Sequence, residues 1–325
     1  MPKTCYLHIG TPKTATSSIQ NWLQTNGAAL ARNGIVYPGV ERKQKFLLSM
    51  FVDNPLKGLR VHTDVGRSTR EDVEAYHKEM LTAFDEQIAA SGATNVVISD
   101  EALFLHARRI DWPDLRRFLE ERFDRIVVVA LVRAPLPAFL SRAQEQVKSG
   151  VRSYEAVCSA PYPLNLNSLE TIFEAFGQKS VILGKFEDAI SRGIMTYFFD
   201  LLGLRHDLTE EERAVPPENE ALSLEAALIM SELNKVLPAT RRFQHRHLRS
   251  RHLRDIGTTK FGLPRESVLK VRKTLEQQHE MLHRLGIDYG ILDLDNLPPA
   301  TPDWGPDTLK AIALAFNELA GREKG

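Results

Sequence analysis

The segment Tyr6–Leu23 constrains this chain more than any other: Tyr-Leu-His-Ile-Gly-Thr-Pro-Lys-Thr-Ala-Thr-Ser-Ser-Ile-Gln-Asn-Trp-Leu. An apolar strand runs into a short Gly/Pro turn. A lysine follows, then small residues, most of them hydroxylated, and then a helical pattern. That layout is a phosphate cradle: backbone N–H groups at a helix N-terminus face an anion, and the helix dipole favours it. Lys13 adds a full positive charge beside the phosphate oxygens. The segment departs from the usual triphosphate P-loop, G-x-x-x-x-G-K-[ST], because Lys13 precedes the small residues and the second glycine is missing. The competing reading is an ordinary strand–turn–helix connection.

A second segment points the same way. Ile126–Val132 is a continuous apolar run rich in β-branched residues, which predicts a central strand buried on both faces. Arg133 stands at its carboxyl end, Pro135 and Pro137 punctuate a turn, and Phe139–Val147 reads as a helix carrying Ser141. Ligands of open α/β sheets bind beyond the carboxyl ends of strands. An arginine there holds a phosphate bidentately, and a helix serine supplies a hydroxyl.

The run Pro12–Ser17 resembles the 5′-phosphosulfate-binding loop of sulfotransferases. Arg133 and Ser141, eight positions apart, resemble the 3′-phosphate motif of the same family. Val181–Asp188, Met195–Gly203 and Asn219–Glu225 resemble later segments of such proteins, so the likeness covers roughly the first two-thirds of the chain. It implies a P-loop-like core and 3′-phosphoadenosine-5′-phosphosulfate (PAPS) as sulfuryl donor, with no metal. Lys13, Thr14, Ala15, Thr16, Ser17, Ser18, Arg133 and Ser141 would hold that donor, and Lys13 would stabilise the leaving phosphate. The family usually has glycine where this chain has Ala15; alanine serves there if it takes helical φ/ψ.

An acceptor hydroxyl or amine needs a base. Glu101 follows the apolar run Val96–Ile98 in Ser99-Asp-Glu-Ala-Leu-Phe, which places it at a strand's carboxyl edge; carbohydrate sulfotransferases carry a glutamate base in a similar setting. Asp100 is the alternative base. The bland reading makes Glu101 a charge in the first turn of the next helix. His8 reads as a packed core histidine and His106 as a surface residue.

The chain has 325 residues, 43% hydrophobic and 26% charged, with zero formal net charge. That balance argues against a dedicated nucleic-acid binder. No apolar run approaches a membrane span, and no signal-like segment opens the chain. Two cysteines, Cys5 and Cys158, cannot build a disulfide framework and suit a reducing cytoplasm.

Strands alternate with helices up to about residue 210, which predicts an α/β core with a central parallel sheet flanked by helices over 1–210. The strands are expected at Thr4–Ile9, Gly34–Pro38, Asn95–Ser99, 126–132 and Ser180–Leu183. Helices are expected at Ser17–Asn33, Arg70–Ser91, Asp111–Arg122 and Leu166–Phe176, and residues 40–70 are poorly patterned. Beyond, 211–325 reads as a mainly helical C-terminal region, a cap or extension with helices at Ser223–Val236, Glu266–Leu285 and 306–320. Arg241–Arg254 holds six arginines and three histidines without an acid. It reads either as an anion-binding lid, suited to an anionic glycan, or as a solvated helix face. His245, His247 and His252 lack companion carboxylates or cysteines, so no metal site is read there. For a sulfotransferase the acceptor would be a hydroxyl or amine of a carbohydrate, lipid or small metabolite. A P-loop kinase and a catalytically silent nucleotide- or glycan-binding protein stand as alternatives.

Overall fold

The computed structural model describes residues 3–41, 43–204, 206–215, 221–236, 253, 255–297 and 300–322. They gather into two compact units, Met1–Arg133 with Asn165–Glu218, and Ala134–Leu164 with Asn219–Gly325.

The first unit is built on five strands: β1 (Thr4–His8), β2 (Ile35–Val36), β3 (Asn95–Ser99), β4 (Arg125–Val132) and β5 (Val181–Lys185). They pair in the order β2-β3-β1-β4-β5, and every pair is parallel. The central parallel sheet flanked by helices is therefore the α/β class expected. The chain moves from β1 out through β2 and β3 on one side, then crosses to β4 and β5 on the other. The reversal falls between β1 and β4, where an open α/β sheet leaves a crevice beyond its carboxyl ends.

Period-two alternation explains the burial of these strands. Val127, Val129 and Leu131 of β4 join a core with Trp22, Leu23, Phe198 and Phe199. The intervening Val128, Ala130 and Val132 are equally buried on the opposite face.

The expected helix over Ser17–Asn33 is two helices, α1 (Thr16–Thr25) and α2 (Gly27–Arg32). Asn26 divides them: both its backbone N–H and its side-chain Nδ2 donate to the Trp22 carbonyl, at 3.0 Å each. An asparagine that bonds the backbone locally, followed by glycine, ends a helix in this way. Residues 40–70 hold two short helices, α3 (Phe46–Phe51) and α4 (Arg60–Thr63). Helix α5 (Arg70–Ser91) starts at a Thr69–Asp72 capping box and stops before Gly92, as its sequence predicts.

Two further helices, α6 (Glu101–Leu105) and α7 (Trp112–Glu120), precede β4. The next two, α8 (Pro135–Lys148) and α9 (Tyr154–Ser159), belong to the second unit. Helices α10 (Ser168–Phe176), α11 (Phe186–Arg192), α12 (Ile194–Leu201) and α13 (Glu210–Arg213) complete the first.

The second unit adds α14 (Leu224–Val236), α15 (Arg265–Leu269), α16 (Arg272–Arg284) and α17 (Pro306–Arg322). The expected helix Glu266–Leu285 is interrupted at Val271, the residue before α16, with φ −110° and ψ 6°. Phe139, Val147, Leu224, Phe261, Val268 and Leu275 form this unit's main core. Gln144 Nε2 donates to the Leu222 carbonyl at 2.6 Å, and Asn234 Nδ2 to the Val147 carbonyl at 2.8 Å. Among the described residues no helix is long and apolar enough to cross a membrane. Both cysteines are free thiols, and Cys5 is buried within β1.

Candidate functional site

The turn after β1 is pinned to β4. Ile9 N–H donates to the Val129 carbonyl at 3.0 Å, and the Thr11 hydroxyl to the Leu131 carbonyl at 2.7 Å. Thr14 is fully buried, and its hydroxyl closes the turn onto the Thr11 carbonyl at 2.6 Å. The segment Ile9–Ala15 thus sits at the sheet's reversal point, two residues along β4 from Arg133. The Arg133 guanidinium lies 5.3 Å from the centre of the Phe186 ring.

Three residues of this turn have positive φ: Gly10 at 27°, Lys13 at 72° and Ala15 at 58°. Ala15 is left-handed, with ψ 21°. The expectation that alanine serves here in a helical conformation is therefore corrected. This is the backbone region that glycine occupies without strain, and an alanine there carries about 1–2 kcal/mol. Gly10 is fixed by space as well, since a Cβ on it would lie 2.3 Å from Thr16 Oγ1.

Helix α1 opens directly from Ala15. No side chain caps it, and no acidic residue stands in its first turn. The first N–H groups of a helix have no intrahelical partner, so Thr16, Ser17 and Ser18 present donors and a positive dipole end at the crevice. Thr16 is 2% exposed, yet its hydroxyl has no protein partner. Ser17 is partly exposed and Ser18 buried. Lys13 through Ser18 therefore form one continuous cradle around the turn and the first helical turn.

Beneath the cradle lies a buried polar chain that sequence reasoning missed. His8 and Ser99 are register partners on β1 and β3, and His8 Nδ1 is 2.8 Å from Ser99 Oγ. Gln20, one helical turn beyond Thr16 on α1, donates from Nε2 to Ser99 Oγ at 3.1 Å and to the Ser99 carbonyl at 3.2 Å. Ser99 N–H donates to Gln44 Oε1 at 2.7 Å. His8 is a packed core residue as expected, edge-on to Phe198 with ring centres 5.2 Å apart. Burial pushes its pKa down to about 4, so the ring is neutral. His8 Nε2 and Gln20 Oε1 are buried without protein partners.

At the end of β3 the two carboxylates separate. Asp100 is the N-cap of α6, and its Oδ1 accepts from Ala102 N–H at 2.9 Å. Its own N–H donates to the His8 carbonyl at 3.0 Å, which ties it to β1. It is 1% exposed, and its Oδ2 has no protein partner. Burial pushes its pKa up to about 7, with Glu41 and Glu101 adding to the rise and Lys45 opposing it. Glu101 is the first residue of α6 and partly exposed. His106 is partly buried at the C-terminus of α6.

The poorly patterned segment also carries a polar cluster. Ser49 Oγ lies 2.5 Å from His62 Nε2 and 2.7 Å from His77 Nε2. One hydroxyl has one proton, so one imidazole donates to Ser49 and the other accepts from it. Burial pushes the pKa of both histidines down. Tyr76 packs edge-on to His62, lies beneath the Arg67 guanidinium at 4.0 Å, and donates to Glu41 Oε1 at 2.7 Å.

Ser141 lies on α8, within the second unit. The basic stretch Arg241–Arg254 lies outside the described residues apart from Leu253, as do Asn219 and Glu220.

No protein-family model and no curated protein matches the chain. Among solved structures, a sulfotransferase from Alicyclobacillus acidocaldarius is similar at 16% identity and a TM-score of 0.40, covering 72% of this chain and 94% of its own. The sulfotransferase domain from the curacin biosynthetic pathway is similar at 11% identity and a TM-score of 0.33, covering 81% of this chain and 99% of its own.

Proposed function

We propose that this chain is a sulfotransferase that moves the sulfuryl group of PAPS to a hydroxyl or amine of a carbohydrate, lipid or small metabolite. The observation that carries the proposal is the uncapped start of α1, with the buried, unpartnered Thr16 hydroxyl beside it, at the sheet's reversal point. A native interior rarely leaves a buried hydroxyl unbonded, so the site is made to receive a hydrogen-bonding ligand. A helix N-terminus without an acidic residue selects an anion.

The residues fit the donor as follows. The N–H groups of Thr16, Ser17 and Ser18 and the Thr16 hydroxyl would hold the 5′-phosphosulfate. Thr14 would offer its backbone, since its hydroxyl closes the turn. Lys13 would bring its ammonium to the leaving oxygen, where negative charge grows during transfer. Arg133 would take the 3′-phosphate, with Ser141 as its partner in the motif. PAPS supplies an activated sulfuryl group when bound. The remaining work of the chain is to orient that group, neutralise charge and accept the acceptor's proton at the carboxylates ending β3. Glu101 is the base the sequence motif suggests. The basic stretch 241–254 suits an anionic glycan by charge alone. The free thiols support a cytoplasmic setting.

Calorimetric titration with adenosine 3′,5′-bisphosphate, run beside ATP–magnesium, tests the reading. Binding of the bisphosphate that is weakened in Thr16→Val and Arg133→Ala supports it. Binding of ATP–magnesium in its place would make the cradle a kinase site, and binding of neither would make it a structural turn.

A further inference from the structure

We infer that Asp100, rather than Glu101, takes the acceptor's proton, and that Tyr76 and Glu41 are positioning residues that prepare it to do so. The inference rests on the sulfuryl-transfer reading above.

Strand alternation sends Ser99 and Asp100 to opposite faces at the end of β3. Ser99 is absorbed by the His8–Gln20 chain. Asp100 is tied by its N–H to the last residue of β1, just before the cradle turn. Its backbone is thus fixed to both central strands. Glu101 begins a five-residue helix and is partly exposed.

The two carboxylate oxygens of Asp100 are used unequally. Oδ1 accepts from Ala102 N–H at 2.9 Å, which fixes the plane of the group. Oδ2 is buried with no protein partner. A helix cap accounts for Oδ1 alone, and an asparagine would cap as well. A carboxylate oxygen left unbonded in an interior is costly unless something else meets it. Oδ2 is the atom an acceptor O–H would meet.

Glu41, Lys45 and Glu101 are the charged groups that act on Asp100, and Tyr76 faces it as a neutral phenol. Glu41 is clamped: its Oε1 accepts from Tyr76 Oη at 2.7 Å and from Phe46 N–H at 2.9 Å. Tyr76 is itself held between the Arg67 guanidinium and the His62 ring. Glu41 is therefore held in place, and it raises the Asp100 pKa in the same direction as burial. The result is a carboxyl group poised near neutrality, where a general base is most effective.

The transfer balances without a further reagent. As the acceptor oxygen bonds sulfur, the bond from sulfur to the bridging phosphate oxygen breaks and its electron pair stays on that oxygen. The acceptor's proton passes to Asp100 Oδ2. Asp100 ends protonated, the bisphosphate carries the extra negative charge, and Asp100 returns the proton to solvent.

The test combines infrared titration of carboxyl groups with slow release of sulfate from PAPS to water, for wild type, Asp100→Asn, Glu101→Gln and Tyr76→Phe. Wild type is expected to show a carboxyl band that titrates near neutral pH. Asp100→Asn should lose that band, keep its melting temperature at acid pH, where Asp100 is protonated in any case and the cap survives, and release sulfate on the order of a hundredfold more slowly. Glu101→Gln should keep the band, and any loss of its rate should be smaller than that of Asp100→Asn. Tyr76→Phe frees Glu41, and the midpoint of the band should fall by about half a unit. Loss of the band or of the rate in Glu101→Gln with both retained in Asp100→Asn overturns the assignment. So does a wild type with no near-neutral carboxyl. Absence of bisphosphate binding in a wild type that still shows the Asp100 band would instead overturn the donor reading.

Discussion

Replacing Ala15 by glycine turns the geometry of the cradle into a question of sign. Ala15 holds φ 58° and ψ 21° as the residue from which α1 starts. A left-handed alanine is strained by about 1–2 kcal/mol relative to its relaxed conformations. Glycine removes that strain, but it loosens the unfolded chain and gives back about 0.4–1 kcal/mol. The balance is a stabilisation of about 0.5 kcal/mol, and at most about 1.5. If Ala15 were right-handed and already part of α1, the same substitution would cost about 1 kcal/mol. The two geometries therefore predict opposite signs.

Urea unfolding followed by tryptophan fluorescence reads the sign, because Trp22 sits buried on the same helix. Ala75→Gly is the control: Ala75 is exposed within α5, and its replacement should cost about 1 kcal/mol. Ala15→Gly should raise the urea midpoint, or leave it unchanged, while Ala75→Gly lowers it, with equal slopes in all three proteins. A fall of the Ala15→Gly midpoint to match Ala75→Gly would refute the left-handed cradle. It would also remove the reason for reading strain at Lys13, whose φ is 72°.

The remaining predictions concern the same corner of the sheet. Thr16→Val removes a buried hydroxyl that the protein leaves unbonded, so stability should hold or rise by up to about 1 kcal/mol, while bisphosphate affinity falls about tenfold by calorimetry. Arg133→Ala should weaken adenosine 3′,5′-bisphosphate by about 2 kcal/mol and leave adenosine 5′-phosphosulfate, which lacks the 3′-phosphate, nearly unchanged; equal losses for both would remove the 3′-phosphate role. Lys13→Ala should reduce sulfate transfer strongly with modest loss of bisphosphate binding, and near-normal turnover would sink its role. His8 and Asp100 should oppose one another in the pH dependence of stability. His8's folded pKa, about 4, lies below its unfolded value, so its contribution is lost as pH falls from 6.5 to 4. Asp100's, about 7, lies above its unfolded value, so its contribution is lost as pH rises from 4 to 7. His8 is worth roughly 3 kcal/mol and Asp100 roughly 4 kcal/mol over their windows, so Asp100→Asn should make acid destabilisation between pH 6.5 and 4 steeper by about one proton; an unchanged slope in the variant would place the Asp100 pKa in the ordinary range.

The sheet was legible because its signals are local. The run 126–132 is apolar at every position, and only a strand covered on both faces needs that. Thr69 and Gly92 mark the ends of α5 within one residue, because caps act through bonds between near neighbours. The division of 17–33 at Asn26 was not legible, since the helical pattern of apolar residues continues through it. The break comes from an asparagine bonding its own backbone, which hydrophobic periodicity does not register. The short helices α3 and α4 lack the length for a periodic pattern to emerge.

The site divides along the same physical line. The turn between β1 and α1 could be read because its lysine, hydroxyls and helix start are consecutive. The groups beneath it could not, because their partners are distant in sequence: His8 meets Ser99, Gln20 meets Ser99 and Gln44 meets Ser99, across separations of 91, 79 and 55 residues. Strand register makes those meetings, and a single chain does not print its register. Asp100 shows the consequence most sharply. In the sequence it is one of two adjacent acids, and the motif favours its neighbour. In the fold the pleat turns it inward, the cap takes one oxygen and burial raises its pKa. Which of two adjacent carboxylates is buried is thus decided by where β3 stops and α6 starts, since Asp100 caps the helix and Glu101 opens it, a property of the fold that neither residue carries alone.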